Sequence, residues 1–476
     1  MKYNPADVQS IACYAKHLVG KTFLNVLQNA VLSEEAYNEC VLKYGNPKRK
    51  GGLGNFLEEI YFGYKANSDS RADFHEAGVE LKVSPYEITK KNEYKVGERL
   101  VLTMIDYNNP AEPDIFKSHL WEKVHQILLV YYLRDRAVDS NLEYRIDYTS
   151  LFTPSTTDLK VIEQDYHIII SKIMAGRAHD LSESDTVYLA ACTKGATALK
   201  STVSQYYNAD VLARKRAFSF KPSYMNAVLK NIITQFKEES IITSEEQLVE
   251  TTFEKLIIDK LQAYHGKSDR ELCNLFHRDY NNNKAQWIDL AYRMLGIKSN
   301  KAAEFTKANI VVKSIRLEED ETMNENISFP AFKFKQLIEE EWEDSTVYTY
   351  FEETKFLFVI YKQQGDSYIF SHAKFWNMPM ADLESDVRRC WEQTVAKIKD
   401  GISFRRSGQR IFNDLPSAKE NHIMHVRPHA TKSAYRLHDG TEIGNISRDA
   451  NELPDGQWMT NQCFWLNNSY ILAQLF

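Results

Sequence analysis

The sequence predicts a mixed α/β protein, α+β in arrangement, made of two tandem domains. Three observations predict it. Helical and strand-like apolar patterns succeed one another along the first 235 residues. A polar connection, 237–250, then interrupts them. Short strings of the first half recur in the same order in the second. The chain has 476 residues, 43% hydrophobic and 26% charged, with 27 Tyr and 24 Phe, which excludes a disordered chain.

The elements follow in order. Val8, Ile11, Ala12, Ala15 and Leu18-Val19 recur at helical spacing, and Phe23 to Leu32 continues the helical region after Gly20. A basic turn, Lys48-Arg49-Lys50-Gly51-Gly52-Leu53-Gly54, precedes a predicted helix from Phe56 to Phe62. Strands are predicted for Asp73 to Ser84, Leu100 to Ile105 and Gln126 to Tyr132. A helix within 158–180 ends at Gly176, and short strands with a last helix fill 185–235. The domains are placed at 1–240 and 241–476.

The repeat rests on five ordered matches. Gly20-Lys21-Thr22 faces Gly266-Lys267-Ser268, and Phe62-Gly63-Tyr64-Lys65 faces Leu295-Gly296-Ile297-Lys298. Val79 to Ser84 faces Ile310 to Ile315, and Lys172 to Gly176 faces Lys397 to Gly401. Phe218-Ser219-Phe220 faces Phe464-Trp465-Leu466. Their offsets drift only as small insertions would make them, which implies duplication.

Net charge is −6, so the chain is no bulk polycation, but a local basic groove suffices for nucleic acid. Six cysteines are spread singly, without a CxxC pair, which points to buried, reduced thiols. No apolar run approaches a membrane span, and the N-terminus has no apolar signal core. A cytoplasmic protein is expected, with no membrane partner.

The chemistry candidate is Asp73, Glu80 and Lys82. Glu80 and Lys82 are two apart on a strand and share a face, while Val79, Leu81 and Val83 turn toward a core. Two carboxylates from adjacent segments can hold a hard cation such as Mg²⁺. The cation can polarise a phosphate and acidify water, and Lys82 can orient that water. The E-x-K pattern also occurs at Glu93 and Glu353, but only Glu80 has Asp seven residues earlier. Glu58 adds a fourth group just after the glycine-rich turn. The competing reading is an exposed strand face with a cross-strand ion pair.

Lys50-Gly51-x-x-Gly54-x-x-x-Glu58, Asp73 and Gly78-Val79-Glu80-Leu81-Lys82 closely resemble the MutH-like endonucleases. Over the full length the chain is similar to Sau-type restriction enzymes, which cut at GATC. Cys192 to Ala196, Arg216 to Ser219, Glu340 to Ser345 and His425 to His429 carry that likeness.

The resemblance implies a PD-(D/E)xK nuclease fold, a mixed central sheet flanked by helices. It implies metal ligands at Asp73 and Glu80, a catalytic lysine at Lys82 and an extra acidic position at Glu58. The MutH branch has a further functional lysine, for which Lys123 and His125 both remain open. It also implies DNA contacts at Lys194 and in the segment holding Arg216 and Lys221. A basic groove is expected from Lys48, Arg49, Lys50, Lys82, Lys194 and Lys221.

In the second half Lys313 matches Lys82, but Val311 stands for Glu80, Tyr292 for Glu58 and Glu304 for Asp73. An apolar residue holds no hard cation. The second copy is therefore expected to keep the fold and lose the chemistry, with Arg427 and His429 as DNA contacts. Enzymes of this type bind a second DNA site on such a domain to stimulate cutting. The resemblance implies a bacterial type II enzyme, monomeric in solution and dimerising on DNA, with a methyltransferase partner. The alternatives are a mismatch-repair nicking enzyme and a non-catalytic DNA-binding module.

Overall fold

The computed structural model describes residues 2–31, 33–46, 51–65, 71–89, 91–135, 137–195, 201–234, 239–281, 283–408 and 410–476. The chain divides into two compact units. One is Met1–Phe253 with Lys301–Asn309; the other is Glu254–Asn300 with Ile310–Phe476. No helix among the described residues is long and apolar enough to cross a membrane.

The first unit begins with helices Val8–Lys16, Phe23–Ala30 and Glu34–Tyr44. Each starts where a polar side chain accepts otherwise unpaired amides: Asp7, Thr22 and Ser33. The short helix Gly52–Phe56 runs into a π-helical turn, Leu57–Phe62. A four-stranded sheet follows, ordered Tyr94–Val96, Glu80–Ile88, Ile127–Leu133, Ile146–Phe152. Its two inner strands are parallel, with Glu80 opposite Ile127 and Lys82 opposite Leu129. Both outer pairings are antiparallel.

Ile127–Leu133 is an unbroken apolar run because both of its faces are covered. Leu128, Val130, Val79 and Leu81 pack with Ile11, Phe23 and Phe56 from the leading helices. A second sheet sets Arg216–Phe220 between Leu100–Met104 and Leu189–Thr193. The long helix Thr156–Met174 ends at Gly176, whose φ of +70° suits a residue without Cβ.

The strand expected from Asp73 begins instead at Glu80. Asp73 to Val79 forms a tight turn closed by antiparallel bridging of Phe74 and Val79. Gly78 enables the turn: its φ is +67°, and a Cβ there would lie 2.9 Å from His125 Nε2. The unit also extends through the polar stretch after Ser240. Ile241, Ile242, Leu248 and Phe253 are buried, so the stretch is packed rather than a solvated linker.

The second unit contains a sheet of matching order and direction. Ile310–Leu317 pairs parallel with Lys355–Gln364, which pairs antiparallel with Ser367–Trp376. Another sheet sets Gln462–Leu466 between Ile327–Ser328 and Met424–Pro428. Phe356, Phe358, Trp376, Trp342 and Trp391 belong to its core.

The thiols are free, but Cys13 is exposed and Cys40 half-buried, so only Cys192, Cys273, Cys390 and Cys463 fit the buried expectation. Cys13 lies on a short helix whose buried face is Ile11 and Ala15.

Candidate active site

The site is assembled on the first two residues of the parallel strand. The Leu81 amide donates to Asp73 Oδ2 at 2.8 Å, so the tight turn folds back and lays Asp73 beside the strand. The Asp73 amide donates to Glu80 Oε2 at 3.3 Å. Glu80 is only 3% exposed, yet it is ionically matched. Lys82 Nζ donates to its Oε1 at 2.7 Å, and Lys123 Nζ to its Oε2 at 2.9 Å. A buried charge needs partners of this kind to offset desolvation.

Lys123 arrives from the helix His119–Val124, where Leu120, Lys123 and Val124 form the buried face. Its ammonium also donates to the Arg71 carbonyl. His125 instead bonds the Trp121 carbonyl through Nδ1 at 2.7 Å. Of the two alternatives, Lys123 is the one that touches the acidic cluster. Its signal in the sequence is a charge in register with the apolar face of a helix, at spacings of three and four.

Glu58 projects from the π turn. Burial, then the charges of Asp73 and Glu80, push its carboxyl up to about 7. Burial and the Glu80 charge push Asp73 up to about 6, against the Leu81 hydrogen bond and the Lys123 and Lys82 charges. Oxygen ligands crowded in a poorly solvated site are the donor set a hard dication prefers. Among the described residues no group of three or more His, Cys, Asp or Glu side chains is arranged to hold a metal. Asp73 and Glu80 are a two-carboxylate set, which fits Mg²⁺ because that ion keeps several waters.

The expected DNA contacts are not all at a surface. Arg216 is 2% exposed and Nη1 donates to the Ala191 carbonyl at 2.6 Å. Lys221 is equally buried and Nζ donates to the Thr186 carbonyl at 2.6 Å. These cations hold neighbouring backbone in place, so the groove with Lys221 on its wall needs correction. Lys48, Arg49 and Lys50 lie outside the described residues. Lys194 is half-buried at the end of Leu189–Thr193, its amide bonded to the Lys215 carbonyl.

In the second unit Arg427 and His429 are exposed. The Arg427 guanidinium lies 4.9 Å from the Trp465 ring centroid, and the His429 ring 6.1 Å from that ring. Lys313 is held below its ordinary value by burial alone. Glu304, matched above to Asp73, lies in the first unit. Its carboxylate accepts from the Ile241 and Ile242 amides at 3.0 and 2.9 Å, so it fastens backbone rather than joining Lys313.

Known proteins place this arrangement. The family model for the DNA mismatch repair enzyme MutH matches residues 62–165, which includes Asp73, Glu80, Lys82 and Lys123. DNA mismatch repair proteins MutH from a Shewanella species and from Shewanella putrefaciens are each 25% identical over 212 residues. Those alignments cover 43% of this chain and 90% of each relative. The type II restriction enzyme Sau3AI of Staphylococcus aureus is 34% identical over 478 aligned residues, covering 93% of this chain and 96% of the relative. The mixed α/β fold is thus that of a protein with a MutH nuclease-like domain. A match of that identity across both units makes this chain a member of the type II restriction enzyme family to which Sau3AI belongs.

Proposed function

We propose that the protein hydrolyses phosphodiester bonds of double-stranded DNA at GATC, with Mg²⁺ held by Asp73 and Glu80. The observation that carries the reading is the Glu80 carboxylate, buried yet bonded by Lys82 and Lys123 and sharing a hydrogen bond with the Asp73 amide. When bound, the cation supplies charge to the scissile phosphate and lowers the pKa of water. Lys82, the more exposed of the two lysines, orients the attacking water and balances charge on the phosphate. Lys123, almost enclosed, holds Glu80 in place. Glu58 is the third acidic group and takes up or releases a proton near neutral pH.

The second unit is proposed to be a copy without this chemistry. Its matching strand order supports this, as does Val311 paired to Phe356 where Glu80 pairs to Ile127. It binds a second GATC site through Arg427 and His429, with Trp465 bracing the guanidinium, and so favours cutting at the first site. The symmetric target implies that two first units meet on DNA. Lys194, and Lys50 outside the described residues, are the remaining proposed contacts. A cognate methyltransferase is the expected companion protein, and the bacterial cytoplasm the expected compartment.

Digestion of plasmid DNA carrying many GATC sites, with Mg²⁺ or EDTA, tests the reading. Wild type is compared with Glu80→Ala and the ends are sequenced. Double-strand ends at GATC that need Mg²⁺ and vanish in the variant support it. Nicks alone move it toward the MutH relatives, which align with less than half of this chain. No cutting, but salt-sensitive retention of GATC duplex, would leave a binding module.

A further inference from the structure

The Tyr64 hydroxyl is buried and has no hydrogen-bond partner among the described residues. A buried polar atom left unpaired is expensive and calls for a reason. Tyr64 immediately follows the π turn and Gly63, and its amide donates to the Glu58 carbonyl at 3.0 Å. Its ring meets Phe74 edge-on, with centroids 5.3 Å apart. With Arg71, Asp73 and His75 it lines a cavity of about 370 Å³. One oxygen of Asp73, Oδ2, is engaged by the Leu81 amide. The other, Oδ1, has no hydrogen bond among the described residues, so a donor and an acceptor line the same cavity unpaired. Burial and the Asp73 and Glu58 charges raise the phenol far above its ordinary value, which keeps it a donor.

The second unit supplies an internal comparison. Gly296 has φ +75° where Gly63 has +77°. The Ile297 amide donates to the Tyr292 carbonyl at 3.0 Å, as that of Tyr64 does to Glu58. The backbone turn is shared, but Ile297, 3% exposed, carries hydrocarbon in place of the phenol. The hydroxyl is missing from the unit that also has Tyr292 for Glu58 and Val311 for Glu80. A role in packing alone would not require it to follow the carboxylates. The first unit also fits one more residue between carbonyl and amide, the mark of its π turn, and such turns cluster at functional sites.

We propose that Tyr64 is a positioning residue of the cleavage site: its hydroxyl donates, through a water in this cavity, to Asp73 Oδ1 and fixes that carboxylate for the cation. The inference rests on the cleavage reading above and extends it. Loss of such a supporting hydrogen bond lowers metal affinity or activity by about 10- to 100-fold.

Tyr64→Phe keeps the ring and removes only the hydroxyl. Mn²⁺ binding to the DNA-free protein is read by electron paramagnetic resonance. Single-turnover cleavage, KM for DNA and the melting temperature of metal-free protein are read alongside. The expected result is Mn²⁺ binding and cleavage each about 10-fold weaker, with KM unchanged and the melting temperature unchanged or higher. Equal Mn²⁺ affinity and rate in the variant would overturn the inference while leaving the cleavage reading intact. A lowered melting temperature with unaltered Mn²⁺ binding would make Tyr64 a packing residue and overturn it too. A wild type that neither binds Mn²⁺ nor cuts would sink both.

Discussion

Lys123→Met removes a cation that is nearly sealed inside the first unit. The Lys123 side chain is 9% exposed and Glu80 4%, so their ion pair is little screened. Breaking a buried pair from one side costs about 3–5 kcal/mol. Here Glu80 keeps Lys82, which is 23% exposed and able to take up part of the stranded charge. The expected loss is therefore smaller, about 2 kcal/mol, or a melting temperature lower by about 4–8 °C for a unit of this size. Glu80 would also be free to turn, and loss of a supporting partner lowers activity about 10- to 100-fold. The assay is single-turnover cleavage of a GATC duplex in Mg²⁺, beside thermal unfolding, for wild type, Lys123→Met and Lys123→Arg. A variant that melts early but cuts within about 2-fold of wild type, well short of that range, would show that Lys123 only packs the helix, and the reasoning would fail.

Other outcomes follow from the same geometry. Lys221→Met should lower the melting temperature without changing the salt dependence of DNA retention, because its charge is buried on a carbonyl. Lys194→Ala should weaken retention and reduce the salt slope by about 1, measured by filter binding across NaCl concentrations. Arg427→Ala should lose stimulation by a second GATC duplex while leaving the melting temperature alone, since the guanidinium is exposed on Trp465. Glu58 and Asp73 have folded-state pKa values of about 7 and about 6, above their ordinary 4.5 and 3.8. The folded state therefore binds more protons between about pH 4 and 7. This contribution to stability is complete below pH 4 and lost as pH rises through 6 to 7. Unfolding of metal-free wild type against Glu58→Gln should show the slope flattened in the variant.

The strand carrying Glu80 and Lys82 was legible because alternation is local: Val79 and Leu81 are buried, and the acid and the lysine share the opposite face. The reversal at Gly78 was not, since a turn of that hand depends on a glycine conformation and on His125 packed behind it. Lys123 stayed ambiguous because its partner is 43 residues away along the chain. Arg216 misled for a different reason. A basic residue in a strand suggests a surface, but Arg216–Phe220 is the middle strand of its sheet and all five residues are buried. The guanidinium then has no outlet except a neighbouring carbonyl.

The parallel pairing of Glu80–Ile88 with Ile127–Leu133 also sets when competence can arise. Parallel neighbours need a crossover, and the helix bearing Lys123 lies within it. A nascent chain that has emerged only as far as Trp121 already holds Glu58, Asp73, Glu80 and Lys82, but has no strand to dock them against. Closing so long a loop is slow compared with forming the leading helices. Under the proposed assignment a truncated fragment is harmless to the cell's own DNA, and the ability to cut is gained late in synthesis, in a single step of sheet closure.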